Sequence, residues 1–63
     1  MFIKFGDLVL NTDRVLYFYI IRARELRINF DGGNFIDLPY PSADEARAAL
    51  DQLAQLFAEA GNE

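Results

Sequence analysis

Three stretches of this 63-residue chain hold side chains that could do chemistry. The first is Arg22-Ala23-Arg24-Glu25-Leu26-Arg27, next to Tyr17, Phe18 and Tyr19. Cations beside aromatic rings are how a sheet holds single-stranded nucleic acid, with the rings stacked on bases and the cations along the phosphates. Arg22, Arg24 and Arg27 are the candidates for that work. The plainer reading, a solvated hairpin tip beside core tyrosines, is the stronger one. The second stretch is Asp31-Gly32-Gly33-Asn34. It lacks the alternating carboxylates and distal Glu of a calcium loop. A strand pattern follows it, so it is not a helix-borne phosphate cradle either. The third is Ser42, which has no His or Lys arranged to activate it and is fully explained as a helix cap.

The carboxylates offer no more. Asp7 and Asp13 sit in polar turn sequences and Asp37 on the polar side of a strand pattern. Acid–base catalysis needs two such groups with their pKa values driven apart by burial, and nothing in the pattern buries these. The sequence has no His and no Cys. That removes the commonest bases and nucleophiles, excludes disulfides and disfavours zinc or haem. The expectation is a non-enzymatic protein with no catalytic residues, no cofactor and no metal.

Charge narrows the partners. The net charge is −4. Lys4, Arg14, Arg22, Arg24 and Arg27 balance Asp7, Asp13, Glu25, Asp31 and Asp37. The excess lies in the last third, where Asp44, Glu45, Asp51, Glu59 and Glu63 face only Arg47. An acidic protein repels phosphate backbones at long range, which disfavours nucleic acid. No apolar run approaches the roughly 18 residues that span a bilayer. Residues 1–10 contain Lys4 and Asp7 and lack a signal-peptide pattern. These features point to a cytoplasmic protein that does not enter membranes.

The elements that would position these residues are organised around Val15-Leu16-Tyr17-Phe18-Tyr19-Ile20-Ile21. The run is β-branched and aromatic, and too short to stand out as a helix. As a strand it puts Val15, Tyr17, Tyr19 and Ile21 on one face and Leu16, Phe18 and Ile20 on the other. Neither face is polar, so both need covering.

Around it the pattern predicts an α+β fold in one small domain. It is an antiparallel meander of four to five strands, at about 2–5, 8–10, 14–22, 26–31 and 34–40, with a helix at about 43–60 packed on one face. Gly6-Asp7 suits a type II′ hairpin turn that pairs Phe5 with Leu8 and Ile3 with Leu10. Asn11-Thr12-Asp13-Arg14 is a polar turn. Asp31-Gly32-Gly33 predicts a three-residue loop with Gly33 left-handed, pairing Ile28 with Ile36, Leu26 with Leu38 and Arg27 with Asp37. Pro39 and Pro41 end the last strand, as a sheet edge tolerates.

Ser42-Ala43-Asp44-Glu45 is a capping box. Ala46, Ala49, Leu50, Leu53, Leu56, Phe57 and Ala60 then form one apolar stripe. Arg47 and Asp51 are spaced as an i,i+4 pair, Gly61 is a C-cap candidate, and Asn62-Glu63 a short tail. Ala48, Ala54 and Ala58 lie on the outward face, where an alanine-rich surface of high helix propensity is the ordinary reading.

The reversal at Arg22-Ala23-Arg24-Glu25 has no Gly, Asn or Pro to fix its length. A two- or four-residue turn would set Ile21 opposite Leu26 and Tyr19 opposite Ile28. It is preferred because it leaves Arg22 opposite Glu25. A three-residue turn would instead bring Leu16, Phe18 and Ile20 to the face of Leu26, Ile28 and Phe30.

One helix covers one face of such a sheet and not the other. The candidate interface residues are therefore Leu16, Tyr17, Phe18, Tyr19, Ile20 and Phe35, with Phe2 and Val9 near them. The expectation is a homo-oligomer, a dimer first, packed sheet to sheet or through an edge strand. An unidentified protein partner is the other candidate for this surface. The four-strand-then-helix order is also similar to that of small transcriptional-coactivator modules that bind single-stranded DNA as dimers. The likeness lies in element order alone, and no motif residue carries over.

Overall fold

The computed structural model describes residues 1–61. Strands β1 (Phe2–Phe5) and β2 (Leu8–Asn11) form a hairpin. Strands β3 (Val15–Ile21), β4 (Glu25–Phe30) and β5 (Phe35–Pro39) form a separate antiparallel sheet in the order β3-β4-β5, and helix α1 (Ala43–Gly61) follows. The class is α+β, as the periodicities predict.

The hairpin pairs Phe5 with Leu8 and Ile3 with Leu10, the expected register. Gly6 sits at φ 60 while Asp7 stays at negative φ, which is the II′ pattern. Phe5 and Leu10 are buried, with Ile3 and Leu8 packed beside them; Phe2 and Val9 point out.

The meander breaks after β2. Residues 11–14 turn on themselves: Arg14 N–H donates to the Asn11 carbonyl at 3.0 Å, and Asp13 N–H to Asn11 Oδ1 at 3.0 Å. Thr12 N–H donates to the Met1 carbonyl at 2.8 Å, which extends the β1–β2 pairing by one residue into the turn. This local bonding competes with a ladder between β2 and β3.

The β3–β4 register corrects the sequence reading. Ile21 pairs with Glu25, Ile20 with Leu26 and Phe18 with Ile28, so the turn has three residues, Arg22-Ala23-Arg24. The preferred register, with Ile21 opposite Leu26, does not occur. Arg22 and Ala23 take φ 50 and φ 65, which non-glycine side chains seldom adopt and which the sequence does not signal. Arg22 still reaches Glu25, at 3.3 Å, as an i,i+3 pair across the turn. The pair is therefore compatible with the three-residue turn too, and its expected presence does not select the shorter one.

The register then shifts between Val15 and Tyr17. Val15 pairs with Phe30 and Tyr17 with Asn29, which leaves Leu16 as an extra residue in a bulge. Val15, Phe18 and Ile20 pack towards the core, while Leu16 is turned out.

The β4–β5 hairpin has the expected pairs, Leu26 with Leu38, Arg27 with Asp37 and Ile28 with Ile36. Gly32 and Gly33 take φ 77 and φ 81, and Phe30 N–H donates to the Asn34 carbonyl at 2.7 Å across the loop. Helix α1 closes one face of the sheet: Ala49 and Leu53 are buried in one cluster with fully buried Leu26 and Ile28, and Ala46 is buried as well. The Phe57 ring lies 5.4 Å from that of Phe18.

Glu45 N–H donates to Ser42 Oγ at 3.2 Å, the expected cap. The return arm differs, because the Ser42 hydroxyl donates to Glu45 Oε2 at 3.3 Å. Arg47 and Asp51 do not pair among the described residues, so the predicted i,i+4 bridge is absent. Gly61 is the last helical residue and takes no left-handed φ, so it is not the cap expected there. The predicted tail, Asn62-Glu63, lies outside the described residues.

Candidate interface on the open sheet face

Alternation along three paired strands makes a grid of nine side chains on the face away from α1. Its rows are Tyr17, Asn29 and Phe35; Tyr19, Arg27 and Asp37; and Ile21, Glu25 and Pro39. Four of the six predicted interface residues lie exposed on or beside it: Leu16 at 63 %, Tyr17 at 57 %, Phe35 at 51 % and Tyr19 at 39 %. Phe18 and Ile20 do not. The three-residue turn assigns them to the helix side, where both pack on the core. Phe2 and Val9 are exposed, but on the separate hairpin.

The face has a defined centre. Arg27 Nε donates to Asp37 Oδ1 at 2.8 Å and Nη2 to Oδ2 at 3.1 Å, a two-pronged pair across the β4–β5 ladder. The guanidinium carbon also lies 4.3 Å from the centroid of the Phe35 ring, within cation–π range. The hydrogen bond from Arg27 holds the Asp37 carboxyl below the usual carboxylate range, with burial opposing. The same bond raises Arg27 further above its ordinary value. On β3 the Tyr17 and Tyr19 rings stack at 5.8 Å, nearly parallel at 16°. Asn29 Nδ2 is buried without a hydrogen-bond partner in the row between Tyr17 and Phe35.

The candidate basic cluster is largely spoken for. Arg22 pairs with Glu25 and Arg27 with Asp37; Arg24 alone of the three makes no ion pair among the described residues. Ser42 is engaged in its cap. No group of three or more metal-ligating side chains is placed to hold an ion among the described residues. No described helix is long and apolar enough to cross a membrane.

Sequence reasoning put Ile21 on the helix side of the sheet; the three-residue turn moves it to the open face, so the missing signal was the loop length. Asn29 follows from alternation along β4 whatever the length of that turn. Compared with known proteins, the chain matches no family model, and neither a curated protein nor a solved structure shows significant similarity to it.

Proposed function

We propose that this chain is a small non-enzymatic assembly module that forms a homodimer through the open face of β3-β4-β5. The observation that carries the reading is the exposure of Leu16, Tyr17, Tyr19 and Phe35 around one sheet surface, opposite the face that α1 closes. Apolar patches rimmed by polar groups are typical of protein interfaces. Rigid, amphipathic tyrosines suit such a surface, since each buries a ring while its hydroxyl keeps a partner at the rim.

Charge favours a second copy over a charged partner. Arg27 and Asp37 neutralise each other at the centre of the face, so it can meet itself without like-charge repulsion. A 63-residue chain without cysteine also has a small core and no disulfide to reinforce it, and association is a common remedy. The proposed setting is the cytoplasm, with which the lack of cysteine agrees.

Chemical-shift changes on dilution test the reading. Raising the concentration a hundredfold is expected to move the amides of Tyr17, Tyr19, Asn29 and Phe35 and leave those of the outer helix face in place. Shifts confined to the helix or the β1–β2 hairpin would overturn it.

Single-stranded nucleic acid is the second reading, because Tyr17, Tyr19 and Phe35 offer stacking surfaces on one sheet. The pairing of Arg22 and Arg27 with carboxylates counts against it. It requires an oligonucleotide to be retained at about 50 mM salt, where phosphate contacts still hold strongly. It also requires Arg24→Glu to abolish that retention. No retention by the unaltered chain would reject it.

A further inference from the structure

A groove opens on the other side of the molecule, between the tip of the β1–β2 hairpin, the end of β5 and the first turns of α1. Its volume is about 580 Å³. Phe5, Leu38, Tyr40 and Ala49 supply apolar wall, and Asp7 and Glu45 are the charged residues on it. No Lys or Arg lines it.

Asp7 forms no ion pair among the described residues, and neither does Glu45, whose carboxylate takes only the Ser42 hydroxyl. Burial raises the pKa of the Tyr40 phenol, so that ring stays neutral and brings no competing charge. The half-charge at the start of α1 opposes a cation here, but Asp44 and Glu45 in the same turn offset it.

An apolar trough with a rim of one sign selects its occupant by charge. An anionic or nucleic-acid ligand would meet two carboxylates with no cation to compensate. A purely apolar ligand would leave both without a partner.

We propose that this groove docks a short basic peptide segment of another protein. One apolar side chain would enter the trough and a neighbouring Lys or Arg would meet Asp7 and Glu45. The volume lies in the range of pockets that hold drug-sized ligands, about 300–1,000 Å³, and so leaves room for an apolar side chain with its neighbouring backbone. The groove is open to solvent rather than enclosed, which admits a peptide segment. Because it is built partly from α1, it lies off the open sheet face, and it does not depend on self-association.

The test uses the intact chain, labelled for amide shift mapping. The probe is a blocked hexapeptide of alternating Leu and Lys. Controls are the Leu/Glu and Ser/Lys hexapeptides and hexylamine. The Leu/Lys peptide is expected to shift Asp7, Tyr40, Ala48 and Gln52 in a saturable way, with the Leu/Glu peptide silent and the Ser/Lys peptide weaker.

Asp7→Lys is expected to weaken binding about tenfold, as reversal of a charge facing a cation does. It lies in an exposed turn, so folding is retained. Ala48→Phe fills the groove from an exposed helix position and is expected to abolish the shifts while the rest of the spectrum is kept. The proposal is overturned if the peptide shifts only the open sheet face, or if the Leu/Glu peptide binds as tightly. Binding that survives Ala48→Phe in a folded variant would also overturn it. So would hexylamine binding as tightly as the peptide, which would make the groove a site for small amines, or an absence of shifts at millimolar peptide.

Discussion

The two faces of the β3-β4-β5 sheet start from similar material and end differently. Along β3 both are apolar, with Phe18 and Ile20 on one side and Tyr17, Tyr19 and Ile21 on the other. On the helix side the rows of Phe18 and Ile20 continue with aliphatic residues, Ile28 and Ile36 or Leu26 and Leu38, and α1 lies over them. On the open side the rows continue with Asn29, Arg27 and Glu25 on β4 and with Asp37 on β5. The helix side is a core. The open side has aromatic groups around a fixed, neutral ion pair. What separates them is the polar residue at every second position of β4, and β3 by itself does not reveal it.

Aspartate at adjacent positions of β3 breaks the comparison most sharply. Phe18→Asp puts a carboxylate beside Phe57 in the helix-side core. The change removes aromatic packing and buries an unpaired charge, so a loss of more than about 3 kcal/mol is expected. Circular dichroism should show a largely unfolded chain. A folded Phe18→Asp protein would mean that the two faces are assigned the wrong way round.

The ion pair at the centre of the open face comes next. Asp37 titrates below its unfolded value because Arg27 bonds its charged form. The stability it adds is therefore complete above the unfolded pKa of about 4 and is lost as pH falls through the lower folded value. Asp37→Asn should lower the urea midpoint at pH 7 and flatten the acid limb of the stability–pH curve. Identical acid limbs for the two proteins would show that the pair contributes nothing on this side.

Ser42→Ala removes the acceptor for Glu45 N–H and should cost about 1 kcal/mol in urea unfolding, with the open face unaffected. Ala23→Gly is expected to have the smallest effect. It relieves a left-handed alanine at φ 65, a gain partly offset by a freer unfolded chain. A net stabilisation of about 0.5 kcal/mol is expected, and a loss of stability would indicate that the turn has a different conformation in solution.

These differences also mark what could be read from the chain. The capped helix and its stripe from Ala46 to Ala60 were legible, because a 3.6-residue period over four turns has no competing reading. The Asp31-Gly32-Gly33 loop was legible too, since only the three-residue length sets Ile28 against Ile36. The β3–β4 turn was not. Arg22-Ala23-Arg24 has no residue suited to positive φ, and the Arg22–Glu25 pair fits both loop lengths. The bulge at Leu16 and the break between the two sheets depend on tertiary packing and on local turn bonding, and leave no periodic trace. Four of the six interface candidates, Leu16, Tyr17, Tyr19 and Phe35, lie exposed on or beside the open face. Phe18 and Ile20 were lost to the core when the register was fixed.

Mass in solution tests the dimer most directly, by light scattering on a size-exclusion column over a hundredfold range of concentration. The unaltered chain is expected to approach twice the 7.2 kDa of one chain as concentration rises. Tyr19→Asp should stay at the single-chain mass throughout, with an unchanged circular dichroism spectrum. An unaltered chain that remains a monomer at every concentration, or a dimer that Tyr19→Asp leaves intact, would contradict the assignment of the open face as the site of self-association.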